Sequence, residues 1–170
     1  MGPYVGFVRF PPRLFWSISR CLGEAIELPQ NKADNRTGAC VLIANRSSEI
    51  PLYILQAGEI KEDKYLKYLV MAFAKTAYLW NSPKDKLSGS NLELQESNRL
   101  RAFNMDIPNG AIRANDETII SCSGFSASTD AAVSTCIALM MEYIDIPNAC
   151  ILARKGFVNE FDLLREKLGL

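Results

Sequence analysis

Residues 39–44 read Ala-Cys-Val-Leu-Ile-Ala, an apolar run with no polar position in it. A strand with one wet face alternates apolar and polar residues. A strand without alternation is expected where both faces are covered. A chain carrying such a run has to supply apolar elements for two sides of a sheet.

The remaining pattern supplies them. Over residues 14–28, Leu14, Ile18, Leu22 and Ile26 recur at four-residue spacing, which predicts a helix stopped by Pro11-Pro12 before it and Pro29 after it. Residues 63–80 give the clearest helix, with Leu66, Leu69, Val70, Phe73, Ala77 and Trp80 on one apolar face. Residues 127–144 give another, with Val133, Ile137, Met140 and Ile144 aligned, and residues 160–168 a last one. Residues 52–57 read as the hairpin partner of the first strand. Residues 100–105, 111–114 and 118–123 read as three successive strands, and 150–153 as a short apolar strand. Residues 31–38 and 81–98 are polar and predict loops. Hairpin-length links with helices between the β groups imply an α+β domain: one layered unit over residues 1–170, with about five mostly antiparallel strands flanked by helices. The tetrapeptide Asp-Ile-Pro-Asn occurs at 106–109 and again at 145–148, as expected if one connector were used twice.

Composition narrows the chemistry. Lys and Arg number 19 and so do Asp and Glu, so no broad field draws nucleic acid or an anionic membrane. No apolar stretch reaches the roughly 20 residues that span a bilayer. Histidine is absent. That removes Ser-His-Asp and Cys-His nucleophilic catalysis, imidazole ligation of zinc, iron or copper, and the commonest proximal haem ligand. The five cysteines stand at 21, 40, 122, 136 and 150 with no C-x-x-C pair. Scattered, odd in number and set in apolar runs, they fit reduced thiols in a cytoplasmic protein. No acid/base pair stands out, so an enzyme is not expected.

The polar groups concentrate where the last predicted strand turns into the 127–144 helix. Ser123 and Gly124 end the strand, Ser126 or Ser128 can cap the helix, and Asp130 lies in its first turn, where the dipole favours an anion. One reading is a capped junction; the other is a backbone N–H pocket for an anionic ligand. Lys75 belongs to an apolar-faced helix. Its ordinary place is on the helix flank with its ammonium in water, and its alternative is beside the turn, meeting a carboxylate or phosphate. Arg113, on a strand, is expected to be exposed, or else to pair with Asp116, Glu117 or a ligand acid through its fork. Phe73, Tyr78, Trp80 and Phe125 are either core or the walls of a flat pocket.

The same residues carry a resemblance. The strand ending in Ser123-Gly124, the polar turn and Asp130-Ala131 opening a helix resemble the GlcG/HbpS-like family, also called the haem-degrading domain and found fused to corrinoid adenosyltransferases. Gly110-Ala111-Ile112-Arg113-Ala114-Asn115 is similar to that family's "GG-P-x-R-V-x-G" strand and turn, with Ala111 at the second glycine. Phe73-Ala74-Lys75-Thr76-Ala77-Tyr78 is similar to its "A-x-x-KA-x-TA" helix. The match covers roughly residues 39–144. It implies a haem or corrinoid-type ligand and a homo-oligomer. The implied ligand-binding set is Lys75, Tyr78, Arg113, Ser123, Gly124, Ser126 and Asp130.

A reading from another class is an assembly protein without a small ligand. Residues 7–16, Phe-Val-Arg-Phe-Pro-Pro-Arg-Leu-Phe-Trp, gather aromatics beside two prolines and suit a surface patch buried by a protein partner.

Overall fold

A computed structural model describes residues 12–45, 52–82, 99–100, 105–106, 109–154 and 156–170. The N-terminal segment up to residue 11 lies outside the described residues, as does the predicted 81–98 loop apart from Asn81 and Ser82.

Helix α1 (Pro12–Ile26) buries Leu14, Ile18 and Leu22, the stripe that its spacing predicts. Pro29 does more than stop α1. It opens a short helix, α2 (Pro29–Ala33), where the 31–38 loop was expected, because proline's fixed φ and missing N–H suit a first turn. Strand β1 (Gly38–Asn45) pairs antiparallel with β2 (Leu52–Gly58), Val41 opposite Leu55. Helix α3 (Glu62–Trp80) follows.

Of the strand expected at 100–105, residues 101–104 lie outside the described residues, and its described ends belong to two short strands, β3 (Arg99–Leu100) and β4 (Met105–Asp106), paired with one another in a separate two-stranded sheet. Strands β5 (Ala111–Asn115) and β6 (Thr118–Ser123) form the second hairpin of the main sheet. Its order is β2-β1-β6-β5, four strands, all antiparallel, in an α+β fold. Among the described residues the count is one short of the expected five, because Leu100 and Met105 belong to the separate sheet.

Helix α4 (Ala127–Met140) ends earlier than predicted; the chain leaves it through Met141 and a left-handed Glu142. Residues 150–153 are not a strand but the end of helix α5 (Ile146–Ala153). Asp145 caps α5 by accepting from the Asn148 N–H at 2.9 Å, and Pro147 sits in the first turn. A short apolar run cannot choose between helix and strand by periodicity, and the cap decides. The two Asp-Ile-Pro-Asn copies therefore do different work: Asp145 caps a helix, while Asp106 pairs with Arg99 in a strand. Helix α6 (Val158–Leu168) closes the fold and ends on a left-handed Gly169.

The sheet has two unlike faces. Ala39, Val41 and Ile43 of β1, with Ile112, Ile120 and Cys122, meet α1, α4, α5 and α6 in one large apolar core. Helix α4 is buried from Thr129 to Ala138, as a helix enclosed on every side must be. Among the described residues the opposite face carries α3 alone. There Leu42, Ala44 and Ala72 form one small cluster and Leu79, Ala111 and Ile119 another. Between them the contact is polar: Ser121 Oγ donates to Ala72 O at 3.0 Å, and Thr76 Oγ1 lies 2.8 Å from Ser121 Oγ.

The sequence expects α3 to bury Leu66, Leu69, Val70, Phe73, Ala77 and Trp80. Instead Ala72, Ala74, Lys75, Thr76 and Leu79 are buried, while Leu66, Val70, Phe73 and Ala77 are exposed. Small and hydroxyl-bearing residues let the helix approach the sheet closely, so the apolar row points outward.

Candidate functional site

Lys75 does not reach for water. Its side chain passes the end of β6 and is 1 % exposed. The ammonium donates to Cys122 O at 2.6 Å and to Asp130 Oδ2 at 2.8 Å. Asp130 is equally buried, and its other oxygen accepts from the Phe125 N–H at 3.0 Å. Gly110 packs against the pair with φ +136°. A Cβ there would stand 2.5 Å from Lys75 Nζ, 2.6 Å from Asp130 Cβ and 2.9 Å from Cys122 O. Gly110 O accepts from the Cys122 N–H and from Ser134 Oγ, each at 2.8 Å. Asn109 Oδ1 accepts from the Gly110 N–H at 3.0 Å, while Asn109 Nδ2 is buried without an acceptor among the described residues. Burial pushes the Asp130 carboxyl above its ordinary value, against the pull of the Lys75 ammonium and the Phe125 N–H.

The turn after β6 satisfies itself. Ser126 caps α4, accepting from the Thr129 N–H at 3.2 Å. Arg36 Nη1 donates to Gly124 O at 3.2 Å and to Phe125 O at 2.7 Å, tying the turn to the segment before β1. Ser123 and Gly124 are buried, Gly124 at φ +150° against Ala39.

Arg113 is not exposed but 4 % accessible. Its Nη2 donates to Leu79 O and, at 3.2 Å, to Ser82 O. These carbonyls belong to the last turn of α3 and the residues after it, where the helix dipole favours a cation. No carboxylate pairs with Arg113 among the described residues, and its Nε has no acceptor.

The sequence-selected residues thus fall into separate groups. Lys75 and Asp130 meet, and Ser123, Gly124 and Ser126 form the turn beside them. Arg113 binds the far end of α3, and Tyr78 is half-buried beside Leu79 and Ala111. The four aromatics do not make one wall. Phe125 joins the large core, Tyr78 and Trp80 lie on the opposite face of the sheet, and Phe73 is exposed. The members sequence reasoning missed are Asn109, Ser134 and the Cys122 carbonyl. An Asn-Gly pair at a strand entrance marks a special backbone conformation, and that signal was available; a serine inside a buried helix gives none.

A tetrapyrrole would need a slot between α3 and the 121–130 turn. Lys75 and Asp130 close on each other there and Gly124 lies on Ala39, so these residues do not fit such a group. Among the described residues no three of His, Cys, Asp or Glu gather to hold a metal ion, and no helix is long and apolar enough to cross a membrane. An open cleft of about 260 Å³ lies elsewhere, lined by Arg36, Thr37, Glu59, Lys61, Lys64 and Tyr68.

Four of the five thiols are buried. Burial pushes Cys21 and Cys122 well up and Cys40 up to about 11, so these three stay protonated and unreactive at neutral pH. Iodoacetamide on the native protein should label half-buried Cys150 alone, and all five cysteines once the protein is denatured. Counting adducts by mass spectrometry checks this, and native labelling of Cys122 would contradict the packing described.

The raised carboxyl of Asp130 has a pH consequence. It holds its proton more tightly folded than unfolded. Its contribution to stability is therefore present below the ordinary carboxylate range and lost as pH rises through the raised value. Wild type should lose stability relative to Asp130→Asn as pH climbs from acid toward neutral. Urea melts at a series of pH values measure that slope, and a slope of the opposite sign would refute the assignment.

No known family matches this chain, and no curated protein or solved structure does either.

Proposed function

We propose that this chain is a self-assembling interaction domain that works by binding protein rather than by turning over a substrate. The observation that carries the reading is the exposed apolar row of α3: Leu66 is 66 % exposed, and Val70 and Phe73 are each 40 % exposed. A row of that kind beside charged neighbours is what a protein-binding surface offers to water before it is covered. The polar groups of the 121–130 turn, by contrast, are largely spent on one another. A second exposed patch exists at Phe15 and Trp16, whose rings meet edge to face at 6.0 Å; Trp16 is 69 % exposed. The resemblance to GlcG/HbpS-like proteins agrees on self-assembly.

The ligand-binding reading of that resemblance keeps one support of its own. Asn109 Nδ2 and Arg113 Nε are buried donors without acceptors among the described residues, the kind of group a bound anion would satisfy.

Native mass spectrometry of the purified protein, with an absorbance scan of the same sample, separates the two readings. Multiples of the bare 18.9 kDa chain support assembly. A retained non-protein mass, with absorbance near about 400 nm if it is a haem-type tetrapyrrole, supports the ligand reading. A bare monomer at micromolar concentration overturns both.

A further inference from the structure

We infer that the partner covering α3 is a second copy of this chain, its own α3 lying parallel across a two-fold axis. This rests on the assembly reading above and adds the surface, the partner and the register.

The exposed row consists of Leu66, Val70, Phe73 and Ala77, at intervals of four, three and four. That alternation averages the 3.5-residue repeat of a coiled-coil seam, with Leu66 and Phe73 at d and Val70 and Ala77 at a. The row lies opposite the stripe that α3 buries on its own sheet, Ala72, Lys75, Thr76 and Leu79. A helix buried on one side and apolar on the other is one that expects to be enclosed. The sheet encloses one side and nothing described encloses the other. Because the domain already holds α3 in shape, the seam need not be long enough to stabilise a free helix.

The flanking charges choose the partner. Glu62 falls at g and Lys67 at e, five residues apart and on opposite sides of the seam. Both are exposed, and neither has an ion partner among the described residues. In a parallel pair, g of one helix meets e of the other at this offset, so Glu62 of each copy reaches Lys67 of its mate, twice by symmetry. The chain is thus complementary to itself. Its zero net charge, 19 against 19, adds no repulsion between copies.

Asp63 occupies the a position at the mouth of the seam. In a parallel pair the two Asp63 carboxylates face each other across the axis, at the wet N-terminal end and near Lys67 of each mate. In an antiparallel pair Asp63 would be pressed toward the far end of the partner helix, around Trp80, and away from Lys67. A single polar a residue costs affinity and fixes register.

The test is sedimentation equilibrium on the intact chain. Leu66→Glu and Phe73→Glu should each weaken self-association at least about 30-fold, as a central contact residue does. Their circular dichroism and melting should match the wild-type monomer, because both side chains are exposed. Glu62→Lys and Lys67→Glu should each weaken the pair, and the double exchange should restore it. Val70→Cys, in a Cys150→Ser background, should form a disulfide dimer with itself under mild oxidation. Self-association unchanged by Leu66→Glu would overturn this inference and leave the assembly reading standing. In a mixture with Phe73→Cys in the same background, a disulfide between residues 70 and 73 in place of the 70–70 one would overturn the parallel register. A wild-type chain that stays monomeric would overturn both readings at once.

Discussion

Gly110→Ala should cost about 2–6 kcal/mol, from a strained backbone and an overfilled site together. The backbone at φ +136° is one that a side chain rarely tolerates, and the added methyl would stand 2.5 Å from the Lys75 ammonium and 2.9 Å from the Cys122 carbonyl. Neither neighbour can give way cheaply. Moving the ammonium breaks its bonds to Asp130 and Cys122, and moving the carbonyl distorts β6 next to the turn. A shift of the urea midpoint at constant slope would report the loss. A variant within about 0.5 kcal/mol of wild type, the range of an ordinary surface change, would show that this packing is looser than described.

Lys75→Ala should be comparably severe, at about 3–5 kcal/mol, because it strands the Asp130 carboxylate in the interior without its cation. Removing both charges is the decisive comparison. Lys75→Met with Asp130→Asn keeps the volume roughly and leaves an oxygen for the Phe125 N–H. That double variant should recover most of what either single change loses, since an apolar replacement of a buried pair is often neutral. Additive losses in the double-mutant cycle would mean that the two residues act independently, contrary to their 2.8 Å contact.

Much of the framework is readable in the sequence because it is written in apolar spacing. The α1 stripe, the β1–β2 hairpin and the β5–β6 hairpin fall where periodicity and turn residues place them. The rest depends on features that hydrophobic spacing does not register. Helix α3 is the plainest case: its apolar residues mark the wrong face, because Ala72, Thr76 and Ser121 gain from closeness and hydroxyl bonding what larger side chains gain from burial. Lys75 and Arg113, both expected near water, turn inward for related reasons. One finds a carboxylate and a carbonyl, the other the carbonyls at the end of α3. Helix α5 reads as a strand until Asp145 is recognised as its cap. Within the candidate site, Ser126 and Asp130 were legible as a helix start. The engagement of Asp130 with Lys75 was not, since it joins residues 55 apart in the chain.

The unlike faces of the sheet also bear on how the molecule meets cold. Apolar attachment weakens as temperature falls, whereas hydrogen-bonded and ionic attachment does not share that decline. The layer built from α1, α4, α5 and α6 is held by the first kind, and the seat of α3 largely by the second. Chilling toward the freezing point should therefore loosen the thicker side of the sheet while α3 keeps its grip. Heating has no reason to follow the same order.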